Sequence, residues 1–303
     1  MISKRDMMLG GGLALMLPGA ARAGDAIIIP IIKNDEVGVA IEGRINDSAP
    51  LLFELSLYYG FSWTTVSVAM KTGMKLIDDA LVPFSATVGG VAVKAYRVNA
   101  AHATFGNLRR SNMLFLRLMT KSIRKAIDGI IGSHFFLEQP CILDIMQSQI
   151  RVFPDKQLPS QDFTAITTKF DMDWKTHRAI TVEASIGGES FLMPLGMDTP
   201  EDVVLTSAFV KHNNLWDRLT EAETKIEDDS DAKVVRIGNL ENFAIGPFHF
   251  DKVRAKLDDP ANAGDGKGTC WIGLGLLSQF EMAIDRQSGI FLKPNTSFTG
   301  KKV

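Results

Sequence analysis

Alternation of apolar and polar positions marks most of this chain as β-structure, and the alternation comes in two matching instalments. Residues 37–70, VGVAIEGRINDSAPLLFELSLYYGFSWTTVSVAM, and residues 178–210, RAITVEASIGGESFLMPLGMDTPEDVVLTSAFV, follow the same order. Each reads as an alternating strand, a turn, a second apolar strand led by Phe53 or Phe191, and a short run suited to a helix start. Further strands are predicted in PFSATVGGVAVKAYRV (83–98), with a hairpin turn at Gly89-Gly90, and in KVVRIGNLENFAIGPFHFDKVRAKL (233–257). Two segments depart from the pattern. GNLRRSNMLFLRLMTKSIRKAIDG (106–129) spaces Leu114, Leu118, Ile123 and Ile127 at helical intervals among Arg109, Arg110, Arg117, Lys121, Arg124 and Lys125. It predicts an amphipathic surface helix with a solvated basic face. EAETKIEDDSDAK (221–233) predicts an exposed acidic loop.

The strongest self-similarity lies behind these strands. IIGSHFFLEQPCILD (130–144) matches WIGLGLLSQFEMAID (271–285) without a gap. Two apolar residues precede Gly132 or Gly273, an apolar pair follows shortly after, and an Asp, Asp144 or Asp285, closes the segment. Each copy then enters a strand ending in proline, QIRVFP and GIFLKP. The expected fold class is therefore mostly β, in two lobes from an internal duplication, residues 24–158 and 159–303.

The first 23 residues stand apart from this fold. MISKRDMMLGGGLALMLPGAARA has a basic start, an apolar Gly-rich middle too short to span a bilayer, and a small-residue cleavage pattern at Ala21-Arg22-Ala23. It reads as a bacterial export signal that resembles the twin-arginine type, with Lys4 in place of the first Arg. The expected localisation is periplasmic. Cleavage after Ala23 removes three basic and one acidic residue from totals of 33 and 35, leaving a net charge of −4. That balance argues against a nucleic-acid partner, and no later segment is apolar enough for a stable membrane span. Cys141 and Cys270 are too few for a disulfide framework or a Cys-ligated zinc site, although an oxidising compartment would permit a bridge.

The duplicated back segments, DGIIG running to LD and CWIGLG running to AID, resemble the back half of each lobe of pepsin-like and retropepsin-like aspartic proteases. FLKPN near the end is similar to exported bacterial members of that group. The resemblance covers nearly all of the chain after the leader. It implies two Asp-Thr-Gly loops facing each other across the lobe interface, one carboxylate acting as base toward a water while its partner stays protonated. Carried over by position, Ser56 stands for the first Asp, Leu57 for Thr and Tyr58 for Gly, with Gly73 at a family glycine. In the second half Pro194 stands for Asp, Leu195 for Thr, and Gly196 keeps the Gly. An alternative register reads Asp198-Thr199-Pro200 as an altered Asp-Thr-Gly. Under either register the pair is incomplete, since a serine hydroxyl cannot serve as a carboxylate and proline has no titratable group.

Other chemistries find little support. His102, His134, His177, His212 and His249 belong to no motif that ties a base to Ser56, and no G-x-S-x-G elbow occurs. Metal-ligand spacings such as H-E-x-x-H are missing, and GDGKGTC (264–270) lacks Walker spacing and reads as a linker. No cofactor is expected. Asp144 and Asp285 follow strands and precede turns, so local turn hydrogen bonds account for them. The expected function is that of a pseudoprotease: a non-catalytic protein that binds an extended peptide or protein segment in the interlobe cleft. Tyr58, Tyr59, Phe61 and Trp63 are the candidates to line or plug that cleft; equally, they fill the space left by the lost acids and leave a packed structural unit. The alternative is an active aspartic endopeptidase using Asp198 with an unconventional partner.

Overall fold

Side-chain alternation decides which face each strand buries. Along Gly38–Ile45, Ile41 and Ile45 are buried while Glu42 and Arg44 are exposed, so one face meets a core and the other meets water. The computed structural model describes residues 26–303 apart from 35–37, 89–90, 120–126, 155–157, 159–161, 171–179, 228–232 and 264–269. Residues 1–23, expected from the sequence to be an export leader, the Gly89-Gly90 turn, Ile123 and the glycine-rich run from 264 to 269 therefore lie outside the described residues.

In the first half the elements are β1 (Ile27–Pro30), β2 (Ile32–Asn34), β3 (Gly38–Ile45), β4 (Leu51–Leu55), β5 (Trp63–Thr65), α1 (Val66–Lys71), β6 (Lys75–Val88), β7 (Val91–Phe105), β8 (Leu108–Leu118), β9 (Gly129–Ile131), α2 (His134–Leu137), β10 (Cys141–Asp144) and β11 (Gln149–Val152). In the second they are β12 (Thr164–Ile166), β13 (Thr168–Phe170), β14 (Ile180–Ile186), β15 (Glu189–Pro194), β16 (Val203–Leu205), α3 (Ser207–His212), β17 (Thr220–Glu227), β18 (Lys233–Ile245), β19 (Phe248–Asp258), β20 (Cys270–Ile272), α4 (Leu274–Leu277), β21 (Phe280–Asp285), β22 (Gly289–Pro294) and β23 (Lys301–Lys302). The fold is mostly β, with two lobes. An eight-stranded sheet, β2-β3-β4-β9-β5-β8-β7-β6, belongs to the first half, and a nine-stranded sheet with the main path β13-β14-β18-β19-β16-β20 belongs to the second. A six-stranded sheet, β1-β11-β10-β21-β22-β12, takes three strands from each half and joins them. At its middle β10 and β21 run antiparallel, with Ile142 opposite Ala283.

Both lobes place a short strand between the two ends of one loop. β9 runs parallel to β4, pairing Ile131 with Leu55, and antiparallel to β5, pairing Ile130 with Trp63. In the second half Ile272 bridges Leu195 in parallel, and β20 runs antiparallel to β16. One large apolar core runs through both lobes and includes Phe53, Phe115, Phe243 and Phe280. Burying each such ring contributes about 1.5–3 kcal/mol, which outweighs any single surface ion pair here. Cys141 and Cys270 are buried in separate sheets, and no disulfide joins them.

Two expectations are corrected. The predicted basic helix is, over residues 108–118, the strand β8, paired with β7 along most of its length. The four-residue interval between Leu114 and Leu118 fits a strand face as well as a helix face, because four is a multiple of two. Two of its basic side chains are engaged rather than fully solvated: Arg110 pairs with Glu138 at 2.6 Å, and Arg117 lies over the Tyr96 ring at 5.1 Å, while Arg109 is exposed. The predicted acidic loop is, up to Glu227, the strand β17. Its alternate residues Glu221, Glu223 and Glu227 reach over the intervening β18 to Lys252, Arg254 and Lys256 of β19, so the charge pattern is a row of ion pairs across the sheet face.

Gly132 and Gly273 mark where each loop crosses the strand that follows it. A Cβ on Gly132 would sit 2.4 Å from the Phe61 carbonyl carbon, and one on Gly273 would sit 2.1 Å from the Glu201 carbonyl oxygen. Because the obstacle is backbone, no side-chain rotation relieves it. Gly132→Ala and Gly273→Ala are each expected to destabilise the fold by roughly 1–3 kcal/mol or more, read as a lower urea midpoint. Gly188→Ala, which meets no atom within 4 Å but has φ +90°, controls for backbone strain alone.

Candidate functional site

The apolar turn Ser56-Leu57-Tyr58-Tyr59 is held by backbone contacts that side chains do not need to supply. Ser56 N–H donates to Ile131 O at 2.9 Å, and Tyr59 and Gly60 carbonyls accept from the amides of Ser133 and His134 at 2.8 and 3.2 Å. Two serine hydroxyls tighten it: Ser56 Oγ accepts from Tyr59 N–H at 3.2 Å, and Ser62 Oγ accepts from Gly132 N–H at 3.0 Å. Ser56, Leu57 and Ser62 are buried, whereas Tyr58 and Tyr59 keep partial exposure. Their rings meet edge to face at 5.2 Å.

The second half repeats these contacts with different side chains. Gly196 N–H donates to Ile272 O at 2.8 Å, and Thr199 O accepts from Leu274 N–H at 2.9 Å. The residue that makes the backbone contact of Ser56 is thus Gly196. It falls between the two positions considered in sequence, Pro194 and Asp198. Pro194 instead ends β15, paired with Thr181.

Ser56, Tyr58 and Tyr59 from one half and Gly196, Asp198 and Trp271 from the other line one pocket of about 210 Å³. Asp198 Oδ1 folds back toward Gly196, 3.6 Å from where a Cβ on that residue would stand, and Trp271 Cδ1 lies 2.7 Å from the same point. A second pocket of about 380 Å³, lined by Lys33, Ile145, Pro200 and Leu274 among others, meets the first at Asp198. Phe61 and Trp63 do not join the lining. Trp63 is buried in a smaller apolar cluster with Leu116 and Ile130, and Phe61 packs against that cluster and lies 6.0 Å from the His134 ring. Trp271 was not singled out in the sequence, where it reads only as an apolar residue before Gly273; its ring size was the available signal.

The other acidic residues of this loop turn away from the pocket. Asp202 Oδ2 accepts from Arg254 N–H at 2.7 Å, and burial pushes its carboxyl above the usual range against that hydrogen bond. Glu201 accepts from Thr199 Oγ1 at 2.7 Å. Asp144 and Asp285 cap turns, accepting from Gln147 and Gln287 amides at 2.9 and 3.1 Å. Among the described residues no group of His, Cys, Asp and Glu could hold a metal ion, and no helix is long and apolar enough to cross a membrane. Compared with known proteins, the chain matches no family model, and no curated protein is significantly similar to it.

His134 is the most perturbed base near this loop. Its ring keeps an exposed edge, but both ring nitrogens are sealed from water and make no well-formed hydrogen bond, the Gly60 carbonyl offering only a weak one that opposes the shift. Burial, reinforced by the Arg110 charge, lowers its pKa to about 4. The unfolded chain, titrating near 6.5, binds this proton more readily than the folded one. The contribution is therefore complete above about pH 6.5 and is lost as pH falls toward 4, by about 3 kcal/mol at most. His134→Phe is expected to flatten that part of the stability profile, measured as urea midpoints between pH 4.5 and 7 in both proteins.

Proposed function

We propose that this chain is an exported protein with a two-lobed aspartic-protease-like fold that has lost its catalytic pair and binds extended peptide segments in the interlobe cleft. The observation that carries this reading is the matched contact of Ser56 and Gly196 with Ile131 and Ile272. In the resembling family two carboxylates would occupy those places, and here they are a hydroxyl and a bare Cα. Support for duplication comes from the shared sheet, where Ile142 pairs with Ala283 at the same offset as the sequence repeat. The peptide occupant is supported by two pockets that meet at Asp198, since an extended chain offers side chains to successive pockets. Export rests on the leader sequence alone.

An active endopeptidase is the second reading, favoured by the presence of Asp198 in the same pocket as Ser56. It has one carboxylate where the acid-base pair needs two. The two readings separate in a peptidase assay at mildly acid pH. Pepstatin-sensitive cleavage that disappears in Asp198→Asn would establish the second. The first expects no cleavage, together with saturable binding of end-blocked extended peptides. Tyr58→Ala and Tyr59→Ala should each weaken that binding by roughly tenfold, through lost apolar contact area. Absence of any saturable peptide binding overturns the first reading.

A further inference from the structure

His134 and Asp202 stand at matching places behind the two pocket loops, and acid acts on them in opposite senses. In the first half the Ser133 and His134 amides hold the Tyr59 and Gly60 carbonyls, and the His134 ring lies 6.0 Å from that of Phe61. In the second half the Leu274 amide holds the Thr199 carbonyl, and Gly275 stands where the first has His134. The space is taken by Asp202, whose Oδ1 lies 2.5 Å from where a Cβ on Gly275 would be. Burial raises the Asp202 carboxyl, so a proton there removes a buried charge. A proton on His134 adds one.

The groups around the His134 ring suit only its neutral form. Neither ring nitrogen makes a well-formed hydrogen bond, and the neighbouring Ser133 Oγ is also buried without a partner. From β8, Arg110 brings a positive charge, held by Glu138 and lying over the Phe135 ring at 5.3 Å. From β10, burial pushes the Cys141 thiol up to about 12, so it stays neutral, and Asp144 is taken up by the Gln147 amide. From β21, which packs against α2, Glu281 is engaged by Arg151 and Lys293, and Asp285 by its own turn. The pocket loop offers the Gly60 carbonyl, which already accepts the His134 backbone amide. A protonated ring is therefore a second cation beside Arg110, and it escapes by swinging out through its exposed edge. The first turn of α2 then gives up the Tyr59 and Gly60 carbonyls, while Ser56 N–H on Ile131 and Ser62 Oγ on Gly132 still hold the loop ends. We infer that protonation of His134 opens the Tyr58-Tyr59 wall of the interlobe pocket, while the matching wall at Gly196 and Thr199 stays closed.

This concerns the pocket wall whatever occupies it, so it stands or falls apart from peptide binding. The test is amide hydrogen exchange of the purified chain without ligand, read by NMR at pH 7 and 4.5, with each rate divided by the intrinsic rate at that pH. A ring that titrates at about 4 in the closed loop and near 6.5 once released makes opening roughly fiftyfold more favourable over that interval. Protection of the Ser133 and His134 amides is expected to fall by that factor. At pH 4.5 both should be at least about tenfold less protected than Leu274 and unchanged by 1 M urea, as opening of a loop alone requires. His134→Phe should abolish the fall, and His134→Gln makes the same test with a neutral polar side chain. Exchange of all three amides at one urea-dependent rate makes the event global unfolding and overturns the inference. Protection that does not fall at Ser133, or a fall that persists in both variants, overturns it as well.

Discussion

The antiparallel pairing of β10 with β21 is the contact on which the rest of the molecule depends. It runs Cys141 opposite Ile284 through Asp144 opposite Glu281, and almost all of its side chains are buried. Being backbone to backbone, it fixes not only that the halves meet but their register, since a one-residue slip would turn Ile142 and Ala283 to the wrong face. Each strand is joined through α2 or α4 to the strand that anchors a pocket loop. The position of Ser56 relative to Gly196 is thus inherited from a sheet that neither residue touches. Around the same sheet Arg151 pairs with Glu281, and Glu281 with Lys293 at 3.4 Å, but such half-exposed pairs add little beside the ladder and the core beneath it.

Within that frame the two loops solve one backbone problem with different side chains. A loop that crosses its neighbouring strand so closely must have glycine beneath it, and Gly132 and Gly273 are the residues that permit it. The loop's own amides and carbonyls are then satisfied by the following turn, whatever its side chains are. That is why Ser56-Leu57-Tyr58-Tyr59 can occupy a turn that usually calls for small polar residues: the turn is held from below. Leu57 enters the large core, and the two tyrosines are left to shape the pocket.

How much of this could be read from the sequence depended on whether one signal or two competed at a position. The duplicated segments around Gly132 and Gly273 were legible because an apolar pair, a glycine and a closing Asp agreed in both copies, and both are strand, short helix and strand. The turn roles of Asp144 and Asp285 followed from the same local logic. Residues 108–118 were misread because leucines four apart satisfy both helical and strand spacing, and only the pairing with β7 decides between them. The acidic stretch at 221–227 was misread because its partners, Lys252, Arg254 and Lys256, lie on a strand about thirty residues further on. Likewise nothing local distinguishes Tyr58 from Trp63, yet one borders the pocket and the other is enclosed beside Leu116.

Comparison anchored on Phe53 and Phe191 could not locate the residue opposite Ser56, because Gly196 lies five residues after Phe191 whereas Ser56 lies three after Phe53; the two loops differ again further on. In the first half, Ser56 contacts Ile131 and Trp63 pairs with Ile130; in the second, Gly196 contacts Ile272 and Val204 pairs with Trp271. Counted between these anchors, the second loop is one residue longer. The extra length lies between Thr199, whose carbonyl matches that of Tyr59, and Val204. It is the stretch that contains Pro200 and Glu201 and carries Asp202 to Arg254. Asp198 lies before this insertion, close enough to Gly196 for its carboxylate to fold back into the pocket.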